Sequence, residues 1–157
     1  MSFVVMFVAA WLSSFILYSM NKSLSVAENV FVYLIILAIG LNISWFVAEE
    51  FKLVDITRNG LSYTGFLIYR TVTFPILYVI MLNAAFKSGK TAGALLSACA
   101  VVAVILSLNG LMLFYEAFIY KKWNLFYDAV IIILLQAVSY GLLKLYRKAM
   151  YRGGDVR

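Results

Sequence analysis

Five stretches of almost unbroken apolar residues, separated by short polar breaks, account for most of this chain: roughly 3–20, 26–48, 64–86, 92–120 and 123–146. A helix that crosses a bilayer needs about 20 mainly apolar residues, and each stretch is near or above that length. The apolar residues run on rather than alternate. Helices are therefore expected, since the strands of a membrane barrel would be shorter and would alternate in character. The pattern predicts an all-α integral membrane protein, a single domain over residues 1–157, built as a bundle of five transmembrane helices. No internal repeat is visible.

Composition agrees with lipid as the solvent. Of the 157 residues, 65% are hydrophobic and 13% charged, against about half and a quarter in ordinary soluble domains. A chain of this size buries only about two thirds of its unfolded surface, too little to hide so much apolar area from water. A water-soluble globule and a disordered chain are both excluded. The absence of histidine removes the commonest general base and transition-metal ligand. Cys99 is the only cysteine, so an internal disulfide and a thiolate metal cage are excluded. Cys99 sits in an apolar run and reads as a small hydrophobe. No catalytic residue, metal site or cofactor is indicated.

The net charge of +6 is explained by membrane flanks and a basic tail over 147–157, not by nucleic-acid binding. One set of connections carries Lys52, Arg58, Lys121 and Lys122. The other carries Lys22, Lys87, Lys90, Lys144, Arg147, Lys148, Arg152 and Arg157. The richer side should be cytoplasmic, which puts the N-terminus outside and the C-terminus inside. The first span lacks the preceding basic residue of a secretory leader and is read as a retained span, although Ser25-Val26-Ala27 loosely resembles a cleavage site. The longest connection, 49–63, contains Asn59-Gly60, a turn signal. Residues 54–57 and 61–63 on either side of it could pair as a short hairpin or form an interfacial cap.

Ionisable residues inside a membrane are costly and mark the first place to look for function. Arg70 lies about two turns into the third span, Glu116 about one turn before Lys121-Lys122, and Asp128 just over one turn after that pair. Glu49 and Glu50 end the second span. At a rise of about 1.5 Å per residue these five, from four spans, fall near one outer level. Arg70 could pair with Glu116 or Asp128, or hold an anionic headgroup or carboxylate. The acids alone could hold a hard cation such as calcium. The other reading is a set of interfacial side chains reaching for water plus one structural ion pair.

A second polar set lies near the midplane: Asn42, Asn109 and Gln136. Such amides usually hydrogen-bond across helices; a polar track inward past Asn83 or Tyr140 is the alternative. Asn42 and Glu49, and again Asn109 and Glu116, are seven apart, which places each pair on nearly one helix face. Pro75, the only proline, should free the Thr71 carbonyl, with Thr73 close by to satisfy it, and is a candidate hinge. Gly93/Ser97 and Ala94/Ala98 form a small-xxx-small pattern for helix packing. Trp45, Tyr63, Tyr115, Tyr120, Trp123 and Tyr127 suit an aromatic belt. The tail should lie against anionic lipid.

The chain is similar in general look to small multi-pass proteins of bacterial cytoplasmic membranes, without a family motif. Small multidrug transporters have four spans and a buried glutamate in the first, which is lacking here. Substrate-capturing subunits of vitamin uptake systems usually have six spans. Three functions stay open. The first is an accessory, assembly or modulatory subunit without catalysis, whose partners are membrane lipid and either a membrane protein or further copies of itself. The second is a small transporter or channel using the Arg70 cluster. The third is a membrane enzyme acting on lipid.

Overall fold

The computed structural model describes residues 1–152. Residues 153–157, which include Arg157 of the expected tail, lie outside the described residues, as do the side chains of Tyr151 and Arg152. The elements are α1 (Ser2–Ser19), α2 (Val26–Glu50), β1 (Val54–Ile56), α3 (Gly60–Ser88), α4 (Thr91–Phe114), β2 (Phe118–Tyr120) and α5 (Leu125–Arg152). The five helices are long and apolar enough to cross a membrane. The helix α3 is the most enclosed, packed by α1, α2 and α4 and touched by α5. Its residues Leu77, Tyr78, Val79, Met81 and Leu82 form the centre of the main core.

Local chemistry explains most helix boundaries. Ser25 caps α2: its hydroxyl accepts from the Glu28 N–H at 3.2 Å, and the Glu28 carboxylate accepts from the Ser25 N–H at 2.8 Å. This reciprocal arrangement is the S-x-x-E capping box, so the Ser25-Val26-Ala27 segment begins a helix. Asn59 caps α3 by accepting from the Leu61 N–H at 3.2 Å, and Gly89 ends α3 with a left-handed φ of 59°.

Two boundaries depart from expectation. The fourth apolar run stops being helical at Phe114 rather than near 120. The Glu116 N–H bonds Leu113 O at 3.1 Å, the Ala117 N–H bonds Met112 O at 2.9 Å, and Glu116 itself is left-handed, with φ 51°. That is a Schellman stop with glutamate where glycine usually sits, so the residue type does not announce it. The released Phe118–Tyr120 pairs antiparallel with Val54–Ile56, with Asp55 opposite Ile119. The expected hairpin between 54–57 and 61–63 does not form. Asn59 acts as a cap, and 61–63 belong to α3. A two-stranded ribbon is marginal alone. Here Phe118, Val54 and Ile56 pack on Met6, Phe66, Tyr69 and Met112. The fifth helix also runs on to Arg152, so 147–152 are helical and not a loose tail.

The small-xxx-small pattern at the start of α4 does only part of what its spacing suggested. Ser97 is half-buried and donates its hydroxyl back to Ala94 O at 2.8 Å. That bond lies within α4, so the Ser97 hydroxyl satisfies its own helix and ties no second helix to it. Gly93 does mark a close approach, because a methyl there would sit 2.5 Å from Ser88 Cβ at the end of α3. Ala98 packs on the core of this same chain. The close contact with α3 across a tight turn therefore comes from Gly93, while Ala98 packs on the core.

Polar side chains tie the helices together elsewhere. Asn83 is fully buried; its Oδ1 accepts from the Ser23 and Leu24 N–H groups at 3.0 and 3.1 Å, and its Nδ2 donates to Asn29 and Val79. It seats the α1–α2 turn and is not a station on a polar track. Arg147 grips Glu28 through two contacts, 2.6 and 3.2 Å, and lies 4.4 Å from the centre of the Phe86 ring. Beside this pair Phe31 stacks on Tyr146 at 4.3 Å, so the start of α2 is clamped to the end of α5. Next to Pro75, α3 widens into a π-turn over Tyr69–Thr73, a common way for a helix to absorb a local mismatch. The freed Thr71 carbonyl accepts the Tyr33 hydroxyl at 2.8 Å. The donor is therefore α2 and not Thr73, whose own hydroxyl is buried without a partner.

Two substitutions test this architecture by thermal unfolding in a neutral detergent. Glu116→Gly removes a left-handed side-chain penalty of about 1 kcal/mol and should raise Tm. Gly65→Ala should lower Tm, at a cost of roughly 1–3 kcal/mol in stability, because the added methyl would sit 2.9 Å from Phe3 Cα. Gly110→Ala, with open space around it, should show no such loss.

Candidate functional site

The π-turn of α3 presents two neighbouring side chains to different helices. Tyr69, buried, donates its hydroxyl to Asn109 Oδ1 on α4 at 2.7 Å. Asn109 Nδ2 in turn donates to Asp128 Oδ2 on α5 at 2.9 Å. The Tyr120 hydroxyl donates to the same oxygen, and Trp123 Nε1 donates to Asp128 Oδ1 at 2.7 Å. The Asp128 carboxylate is thus held by three neutral donors from α4, β2 and the segment before α5. Each charge-assisted bond of this kind contributes about 1.5–3 kcal/mol. The ribbon and the turn after it deliver Tyr120 and Trp123, whose polar atoms are spent on Asp128.

Arg70 is placed differently. Its Nη1 donates to Ser44 Oγ on α2 at 3.1 Å, and its guanidinium carbon lies 5.8 Å from the centre of the Phe66 ring. Its Nε is buried with no hydrogen-bond partner. Among the described residues the ion pairs are Lys121–Asp55, 2.6 Å and exposed, and Arg147–Glu28; Arg70 is in neither. The expected pairing of Arg70 with Glu116 or Asp128 is therefore absent among the described residues.

Arg70 and Asp128 nevertheless line one pocket of about 140 Å³. It lies between α2 and α5, with α3 behind and the ribbon over it. Ser44, Tyr69, Asn109, Tyr120 and Trp123 supply its polar groups, and aliphatic and aromatic side chains supply the rest. The other expected cluster members are elsewhere. Glu49, Glu50 and Glu116 are exposed and do not line the pocket. Among the described residues no group of three acidic or thiol side chains gathers as a metal-ligand set, so the calcium reading has no donor set here.

Of the midplane amides, Asn109 enters the site. Gln136 Nε2 donates to Ala98 O at 3.1 Å, an α5–α4 packing bond. Asn42 is exposed and donates back to Ala38 O at 2.8 Å. The Asn109–Glu116 register fails because the helix ends between them.

Tyr69 and Ser44 were not legible as site residues, since nothing in sequence marks a tyrosine and an asparagine 40 positions apart as partners. Glu28 did carry a signal, the S-x-x-E spacing. No family model matches the chain, nor does any curated protein or solved structure, so the site stands on its own geometry.

This arrangement separates the two charges chemically. Asp128 has both oxygens occupied, while Arg70 has donors to spare. Tyr120, outside the long helices, has its pKa pushed up, by burial first and then by its bond to Asp128. Its neutral form is favoured in the folded state. That contribution to stability is complete below about pH 10 and fades as pH rises beyond it. Tyr120→Phe should therefore leave the phenolate absorbance of the folded protein unchanged at about pH 11. A fall equal to one ionised tyrosine would contradict the assignment.

Proposed function

We propose that this chain is a small multi-pass protein of a cell membrane, the bacterial cytoplasmic membrane on its general look, that works by binding and not by catalysis. The asymmetry of Lys and Arg between the connections supports an N-terminus outside and a C-terminus in the cytoplasm. The ribbon and the Arg70 pocket then face outward. The pocket takes the anionic group of a ligand, and the bound state is presented to a membrane-protein partner for which this chain acts as an accessory or modulatory subunit.

The observation that carries this reading is Arg70 itself: a cation inside a long apolar helix, facing a pocket, with a buried Nε that has no partner. An arginine costs about 2.5–3.5 kcal/mol at the centre of a membrane helix on insertion scales, and less toward the outer level at which Arg70 lies. One bond to Ser44 offsets only part of such a cost. An oxyanion matches the planar fork of guanidinium donors. Catalysis by Asp128 is less well supported, because three donors already occupy its oxygens. Transport is less well supported too. Tyr78 is fully buried, with its hydroxyl bonded to Ile132 O, and Asn83 is engaged in structure.

The test uses the detergent-purified protein and hexyl phosphate, a short amphiphile with a phosphate head. At about a hundred times its Kd a ligand stabilises by about 2.7 kcal/mol, which is roughly 5–10 °C for a chain of this size. The wild type should show that rise, Arg70→Ala should lose it, and Arg70→Lys should keep part of it. A folded wild type whose Tm ignores hexyl phosphate would refute the reading.

A further inference from the structure

We infer that the ligand of the Arg70 pocket is an anionic phospholipid taken sideways from the bilayer, its phosphate at Arg70 and one acyl chain lying between α2 and α5; this rests on the anion-binding reading above. A second cleft, of about 280 Å³, lies between these two helices. It is lined by Ile39 and Ile43 of α2 and by Ile131, Leu134, Leu135 and Val138 of α5, with no polar surface. Ile43, Ile131 and Leu135 also line the Arg70 pocket, so the two spaces adjoin. Leu134 and Val138 are 58% and 43% exposed, so the cleft opens on the outside of the bundle, where hydrocarbon would be.

The direction of the cleft matches a lipid's own polarity. The two helices run opposite ways. From Ser44 back to Ile39, and from Asp128 on to Val138, both walls lead away from the ribbon. On α5 the lining positions 131, 134, 135 and 138 form one stripe about 10 Å long. Polar groups therefore sit at the ribbon end, and a purely aliphatic slot leads from them toward the bundle's middle. A phospholipid in the leaflet on the ribbon side has the same order, phosphate first and acyl chain inward.

The gap is built into how α2 and α5 are joined. At the far end the Glu28–Arg147 pair and the Phe31–Tyr146 stack hold them together. At the ribbon end Asp128 is fixed to Asn109, Tyr120 and Trp123, on elements other than α2. The cleft lies between this end and the clamp, where no side-chain bond joins α2 to α5 among the described residues. A soluble phosphate would satisfy Arg70 but leave the aliphatic slot without an occupant. A partner helix would fill the slot but bring no charge to Arg70.

The experiment incubates the purified full chain with phosphatidylglycerol bearing a diazirine in its acyl chain, in neutral detergent micelles, and maps the crosslinks. Label should concentrate on the cleft residues of α2 and α5, and phosphatidylglycerol should compete more strongly than phosphatidylcholine. Leu134→Trp and Val138→Trp, at exposed positions, should weaken phosphatidylglycerol binding roughly tenfold while leaving the hexyl phosphate shift intact. Arg70→Ala should lose both. Label spread evenly over all outward faces, tryptophan variants that bind like the wild type, or equal competition by phosphatidylcholine or a fatty acid would overturn the lipid assignment. Loss of the hexyl phosphate response in the wild type would instead overturn the anion site beneath it.

Discussion

The structure depends on the cost of leaving a hydrogen-bonding group unpaired in apolar surroundings. With no water to accept the slack, a polar atom inside the bundle is costly unless it finds a partner, and the partnerships that form hold the helices in place. Pro75 removes a backbone donor, and Tyr33 supplies a hydroxyl from the neighbouring helix. Asn83 uses both ends of its amide to seat the first turn. Asp128 collects three donors from three segments. Arg70 and Thr73 are the exceptions, each with a buried donor unspent, and of the two only Arg70 carries a charge.

The short ribbon decides where that imbalance is placed. Two helices are followed by left-handed residues, Lys52 and Glu116, and the chain released from each pairs with the other. The ribbon covers one end of the bundle and brings Tyr120 and Trp123 to the Asp128 carboxylate. Without it Asp128 would lose the Tyr120 hydroxyl as a donor. The ribbon therefore helps to satisfy the acid with uncharged donors and leaves the cation outside any ion pair among the described residues. The result is a pocket with spare donor capacity at Arg70 and a carboxylate, Asp128, whose oxygens are already held by other donors.

The same economy of contacts shapes the space beside the pocket. The helices α2 and α5 meet through a charged and aromatic clamp at one end and lie apart at the other, with aliphatic side chains facing each other across the gap. The core around Tyr78 and Leu82, at the centre of the bundle, is closely packed. A rigid centre on α3 and a splayed flank together give a polar pocket with an apolar approach. That is the arrangement expected for a ligand carrying both characters.

Much of this was legible in the amino-acid order. Continuous apolar runs are set by composition alone, so the number of long helices and their approximate extents follow from it. The shortage of charge likewise singles out Arg70 and Asp128 as unusual. The order of residues did not reveal that the fourth run breaks at Glu116, because its left-handed stop uses no glycine. It did not reveal that 54–56 pairs with 118–120, because pairing across 60 positions leaves no local trace. Nor did the spacing of small residues show that the Ser97 hydroxyl would turn back on its own helix, since a serine can bond either way. Nor did it separate Arg70 from Asp128, which lie at similar depth yet have different partners. Depth along a helix is a property of one segment and can be counted. Which face meets which neighbour, and so which charge is satisfied and which is left open, arises only when the segments pack.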